Sequence, residues 1–196
     1  MLTFSLAILL LLISPGPGVL TTAGVGAAFG YRAGIIYVVG LFIGTNLVAL
    51  SVVTGIAAAV FAIPGLRTVL LWASAAYLFY LAAKIGLAGA KIGFVAAQKA
   101  PGIIGGVALQ AINPKAYVVN TTLFSGFPLW PDDLMIEIIA KFVIVNAVWI
   151  PIHLIWLAAG VALHRLNLSA GLQRGINLAM AASLLAVVAL AVWQRG

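Results

Sequence analysis

Six apolar runs dictate what this chain can become: Leu2 to Phe29, Ala33 to Ile63, Thr68 to Leu87, Gly102 to Phe127, Met135 to Leu163 and Leu172 to Trp193. Each is long enough to cross about 30 Å of hydrocarbon as a helix. Lipid offers the backbone no partner, so every N–H and C=O in such a run must be satisfied internally, which a helix does within one segment. The expected fold is an all-α integral membrane protein of six transmembrane helices, a single transmembrane domain over 1–196. Composition agrees, with 7% charged residues where soluble domains carry about 25%.

The first run is not uniform. Ile13-Ser14-Pro15-Gly16-Pro17-Gly18 falls near its middle, and two prolines with two glycines break a helix. Each proline orphans the carbonyl four residues back, so Leu11 and Ile13 need other partners. Irregular backbone at membrane depth persists only where it is buried in protein or lines a water-filled cavity. Ser14, Pro15, Gly16, Pro17 and Gly18 are therefore the first candidate site. Ile112-Asn113-Pro114-Lys115 interrupts the fourth run at about the same depth.

Aligning Ile13-Ser14-Pro15 with Ile112-Asn113-Pro114 also brings Thr22 onto Thr121 and, at nearly the same offset, Asn46 onto Asn146. Three spans per half send the second half into the membrane from the opposite side. The expected plan is two inverted three-helix repeats, 1–90 and 102–196, joined by a basic cytoplasmic linker over 84–101, with the first helix of each repeat broken at proline. Matching interrupted helices in the two halves point to a transport site near the bilayer midplane.

Lys115 lies roughly 18 Å from either end of its run at helical rise, too deep for its side chain to reach water. An unpaired lysine there costs ~3 kcal/mol or more. It must meet either a substrate carboxylate or the carbonyls that end a half-helix. The Gly16 and Gly18 amides open a second half-helix whose positive end suits the same carboxylate. A zwitterionic amino acid fits this arrangement, with its ammonium near the carbonyls of Leu11, Ile13 and Gln110. Asn46, Asn113, Asn120, Thr121, Thr122 and Asn146 extend a polar lining, although Asn and Thr in a span also serve as glue between helices. His153, two residues past Pro151, either relays protons, as its reference pKa of about 6.5 allows, or bonds a carbonyl at or near Ala147 freed by that proline. Lys115 is the other candidate proton relay.

Orientation follows the basic residues. Arg32, Lys84, Lys91, Lys99, Arg165 and Arg174 fall on one side; Arg67, Lys141 and Arg195 share the other with Asp132, Asp133 and Glu137. That count places both termini outside the cytoplasm, with Trp130 and Trp193 as outer interfacial anchors. The net charge of +7 is scattered singly between apolar runs, so lipid rather than nucleic acid is the expected surface partner. With Cys 0, thiolate metal sites and thiol electron relay are excluded. No metal cluster, phosphate-cradling loop or paired-carboxylate site is legible, so no cofactor is expected and an ion gradient is the remaining energy source. A membrane-embedded enzyme lacks its acid-base constellation. A non-transporting assembly subunit stays open and predicts no cavity between the two breaks. A homo-oligomer is compatible with the sequence.

Four blocks, in order, resemble the LysE/RhtB family of bacterial amino-acid exporters: Ser14-Pro15-Gly16-Pro17, Gly30-Tyr31-Arg32-Ala33-Gly34, Trp72 with Ala75-Ala76-Tyr77-Leu78-Phe79-Tyr80-Leu81, and Asn113-Pro114-Lys115. The resemblance implies a six-span secondary transporter of the bacterial inner membrane that exports amino acids or similar metabolites in exchange for protons. It also implies a functional centre at Pro15, Pro17, Asn113, Pro114 and Lys115. Many members carry a histidine where Val48 aligns and an aspartate where Asn146 aligns. With both positions neutral here, proton exchange falls to Lys115, His153 or an acidic residue near the outer end, or the protein is a uniporter.

Overall fold

The computed structural model describes residues 2–13, 16–63, 100–130 and 132–165, with isolated positions between 65 and 83 and between 169 and 185. Ser14 and Pro15 lie outside the described residues, as do Lys84, Lys91, Lys99, Trp193 and most of the expected third and sixth spans. The described elements are all helices: α1 (Leu2–Ile13), α2 (Pro17–Val53), α3 (Ile56–Ala62), α4 (Gly102–Ile112), α5 (Pro114–Ser125) and α6 (Leu134–Arg165). Among the described residues, Pro17–Val53 and Leu134–Leu163 are long and apolar enough to cross a membrane.

At 37 residues, α2 would run roughly 55 Å if straight, far more than one crossing needs. It bends instead at Gly30 (φ 76, ψ −174) into segments 17–29 and 31–53. Only glycine adopts that conformation without strain. The linker expected between the first two apolar runs is thus an elbow of one residue. The second run does not continue as one helix to Ile63. Thr54 and Gly55 send their amides back to Leu50 and Val52 at 2.9 and 3.1 Å, and Gly55 at φ 75 starts a new direction for α3. In α6, Pro151 is accommodated without ending the helix.

Both expected interruptions are present. α1 stops at Ile13 and α2 restarts at Pro17, while Asn113, extended at φ −77 and ψ 106, separates α4 from α5. The two broken helices cross antiparallel. Phe4 near the start of the first meets Phe127 just past the second, ring centroids 5.7 Å apart, whereas Gly16 at the first break meets Lys115 at the second.

Two different kinds of seam close the molecule around this crossing. On one side, backbone meets backbone at glycines. Gly40 packs on the Ile103 carbonyl and Gly160 on the Ala23 carbonyl, and a Cβ at Gly106 would stand 2.6 Å from both the Leu41 nitrogen and the Tyr37 oxygen. Tyr37, Leu41, Leu109 and Leu157 fill the core beside these contacts. On the other side, side chains interdigitate: Phe4 and Ile8 of α1, Val119 and Leu123 of α5, Val145 of α6.

The second seam is fastened by an ion pair. Lys141 Nζ lies 2.7 Å from Glu137 Oε1 one helical turn away and donates to the Phe124 carbonyl at 2.8 Å. Glu137 Oε2 accepts the Leu129 and Trp130 amides at 3.0 and 2.9 Å. Two residues that enter the orientation count as opposite charges thus tie the end of α5 and its following loop to α6.

Candidate functional site

Each broken helix restarts at an Xaa-Pro pair. Asn113 caps α5, its Oδ1 accepting the Lys115 amide at 3.1 Å, and Pro114 takes the first helical position, where its missing N–H costs nothing. The Asn113 amide is held from its other end by Nδ2 donating to Gln110 Oε1 at 2.8 Å. A continuous helix would bond the Lys115 amide to Ala111; here the Tyr117 hydroxyl donates to that carbonyl at 2.9 Å instead. At the other break Gly16 is the cap and Pro17 the first helical residue, with no capping side chain. The counterpart of Asn113-Pro114 is therefore Gly16-Pro17, two residues later than the alignment on Ser14-Pro15 expects. As a first helical residue, Pro17 also breaks no intrahelical bond.

Space explains why Gly16 has no side chain. A Cβ there would lie 2.8 Å from Lys115 Cδ and 3.1 Å from its Nζ, so the lysine runs along the bare backbone of the opposing break. Just past it, Thr21 donates to the Pro17 carbonyl at 2.6 Å and Thr22 to the Gly18 carbonyl at 2.8 Å. Tyr37 from the returning segment donates to the Thr21 hydroxyl at 2.9 Å, fixing the first turn of α2.

Between the breaks is a cavity of about 50 Å³, lined by Leu11, Leu12, Gly16, Gly18, Val19, Thr45, Gln110, Asn113, Lys115, Ala116, Val119, Asn120, Trp149 and His153. That is room for a few waters. Of the residues singled out from sequence, Leu11, Gly16, Gly18, Gln110, Asn113, Lys115, Asn120 and His153 meet at it. Pro17 and Pro114 set the helix starts behind it.

Asn46 and Asn146 meet each other instead. Asn146 Nδ2 donates to Asn46 Oδ1 at 2.8 Å, and Asn46 Nδ2 donates back to Asn146 Oδ1 at 3.2 Å and to the Phe42 carbonyl at 2.8 Å. Neither lines the cavity. Thr121 and Thr122 are exposed, on the far face of α5. The Gln110 carbonyl accepts the Asn113 amide at 3.2 Å and keeps a second lone pair, while Ile13 is exposed and does not line the cavity. His153 bonds a carbonyl near Ala147, that of Trp149, at 2.9 Å.

Thr45 and Trp149 line the cavity without having been singled out. Trp149 had a signal: it precedes His153 by one helical turn, and residues four apart share a face. Thr45 had none, since a lone threonine in an apolar run reads equally as packing. Among the described residues no group of His, Cys, Asp or Glu could hold a metal ion.

No curated protein and no solved structure matches the chain. A family model, LysE type translocator, matches residues 9–195. The chain therefore belongs to the LysE type translocators, integral membrane proteins that carry small molecules across the bilayer.

Proposed function

We propose that this protein is a secondary-active exporter of amino acids or similar small zwitterionic metabolites across the bacterial inner membrane. It works by alternating access about the crossing of its two broken helices, which begin two inverted three-helix repeats. The observation that carries the reading is the placement of Lys115 along Gly16 at the rim of a cavity enclosed by both breaks. A substrate carboxylate there takes the Lys115 ammonium on one side and the Gly18 amide, at the positive end of α2, on the other. The cavity holds only a few waters, so a substrate enters when one seam parts, and the site faces one side of the membrane at a time. Both termini lie on the extracytoplasmic side in this reading.

The test is efflux of labelled standard amino acids from cells expressing the wild type or Lys115→Met. Wild-type cells are expected to accumulate less of at least one compound, and the variant, present in the membrane at equal amount, to lose that difference. Equal accumulation for every compound would remove the transport claim. A reporter fused after Gly196 checks the orientation; a cytoplasmic readout would reverse it.

A further inference from the structure

His153 is buried to 4% exposure yet belongs to the cavity wall. Its Nδ1 sits 2.9 Å from the Trp149 carbonyl. A carbonyl only accepts, so Nδ1 carries the proton, and in the neutral ring Nε2 is left with a lone pair. The ring lies flat on the Trp149 indole, centroids 3.5 Å apart and planes 16° from parallel, which fixes the direction of that lone pair. Nε2 faces Gly18, 3.4 Å from where a Cβ would stand, and no described side chain or backbone group bonds it. Among the described residues every fully buried side-chain nitrogen and oxygen has a partner, so an unbonded Nε2 is one that the cavity reaches, and a donor seated there can bond it.

The other end of the site is a donor. Lys115 presents an ammonium, and α2 presents its N-terminal amides. Resting on the reading above, we infer that His153 Nε2 receives the substrate's amino group, so that the cavity recognises a molecule carrying a carboxylate and an amine a short distance apart. Lys115 is the charged group facing His153 from α5; what α1, α2 and α4 turn toward the cavity, including Leu11, Thr45 and Gln110, is uncharged. A protonated imidazole cannot accept, and beside Lys115 it repels an ammonium. His153 is thus the specificity-determining residue for the amine, while Lys115 answers to the carboxylate.

The test uses purified protein in proteoliposomes. Counterflow of the best-transported standard amino acid is inhibited by the unlabelled compound or by the same carboxylic acid lacking its amino group. The wild type is expected to bind the desamino acid about 10- to 100-fold more weakly, the range of one hydrogen bond to a charged group. His153→Phe should bring the two within about threefold, and His153→Gln, which keeps an acceptor, should restore the preference. Lys115→Met should weaken both compounds alike. A wild type without preference, or a His153→Phe protein that keeps it, overturns the assignment while leaving export standing; no counterflow of any amino acid overturns both.

A second measurement needs no substitution at His153. The chain has His 2, so protein labelled with ¹⁵N-histidine gives two imidazoles, and His164→Gln assigns them. His153 should be the neutral Nδ1–H tautomer, with an Nε2 resonance that moves on adding the amino acid and not on adding the desamino acid. The opposite tautomer, or an unmoved Nε2, overturns the proposal.

Discussion

Replacing Gly16 by alanine separates the site from the fold. The backbone at Gly16 is extended, φ −157 and ψ 175, a conformation that alanine adopts without strain. The new methyl would stand 2.8 Å from Lys115 Cδ. Carbon atoms rest at about 3.5–4.0 Å, so the lysine must withdraw by about 0.7–1.2 Å, and its ammonium with it. Because the obstructed atoms belong to the far end of a flexible side chain, helix packing is spared. What is lost is the geometry of a charge-assisted hydrogen bond, about 1.5–3 kcal/mol, or about 10- to 100-fold in substrate affinity.

The assay is counterflow in proteoliposomes, read as KM for the best-transported amino acid, alongside thermal unfolding of the same preparation in detergent. Gly16→Ala is expected to keep the wild-type unfolding temperature and to raise KM by that factor. An unchanged KM in a stable protein would mean that the position of Lys115 along Gly16 has no part in binding. A fall in unfolding temperature would mean that Gly16 belongs to the packing and not to the site.

The backbone seam predicts the opposite pattern. In Gly106→Ala the obstructing atoms are the Leu41 nitrogen and Tyr37 oxygen at 2.6 Å, which cannot rotate away, so overpacking of about 1–3 kcal/mol should lower the unfolding temperature; a wild-type value would contradict the close approach of α2 and α4. For the reciprocal amides, a double-mutant cycle of Asn46→Ala and Asn146→Ala should give a coupling of about 0.6 kcal/mol, typical of such bonds between membrane helices, and zero coupling would deny the pair. Since the chain has Cys 0, Phe4→Cys with Phe127→Cys offers a clean crosslinking pair at rings 5.7 Å apart. Bridging it with a short bismaleimide should stop transport, and an undiminished rate after complete crosslinking would show that this seam does not part.

How much of this was legible depended on whether the signal was local. Proline and glycine act through φ and a missing N–H, which need no tertiary context, so the interruptions at 13–18 and 112–115 could be read directly. The restart at Pro17 rather than Pro15 was harder to read, because either proline suits a first helical position; Gly16 is extended, as the residue before a proline tends to be, and that position 16 must be glycine follows only from Lys115 lying beside it. The same holds for Asn46 and Asn146: sequence marks both as polar in apolar runs, yet only the packing of α2 on α6 decides that they satisfy each other and not a ligand. His153 shows the converse. Its bond back to Trp149 is a local helical feature, and the direction this gives to Nε2 becomes meaningful only once α2 brings Gly18 opposite.

The two seams differ in what it costs to part them. Where Gly40, Gly106 and Gly160 let backbones touch, carbonyls and amides of adjacent helices are locked at contact distance, and sliding there collides with rigid groups. The seam of Phe4, Ile8, Val119 and Leu123 consists of side chains that can change rotamer, and separating them in lipid exposes apolar groups to an equally apolar surrounding. The polar fastening on that side is Glu137 with Lys141, whose further bonds go to the Phe124 carbonyl and the Leu129 and Trp130 amides. Because α6 supplies both members of the ion pair, α5 and its loop can leave without splitting two opposite charges. Parting this seam therefore keeps the ion pair whole and costs three charge-assisted hydrogen bonds to backbone groups, each about 1.5–3 kcal/mol before water replaces them. For the proposed export cycle the expected motion is thus α1 and α5 moving apart about a glycine-packed core, opening the cavity beside Lys115 and His153 toward the side on which Phe4 and Phe127 meet; a crosslink between positions 4 and 127 that leaves transport intact would refute it.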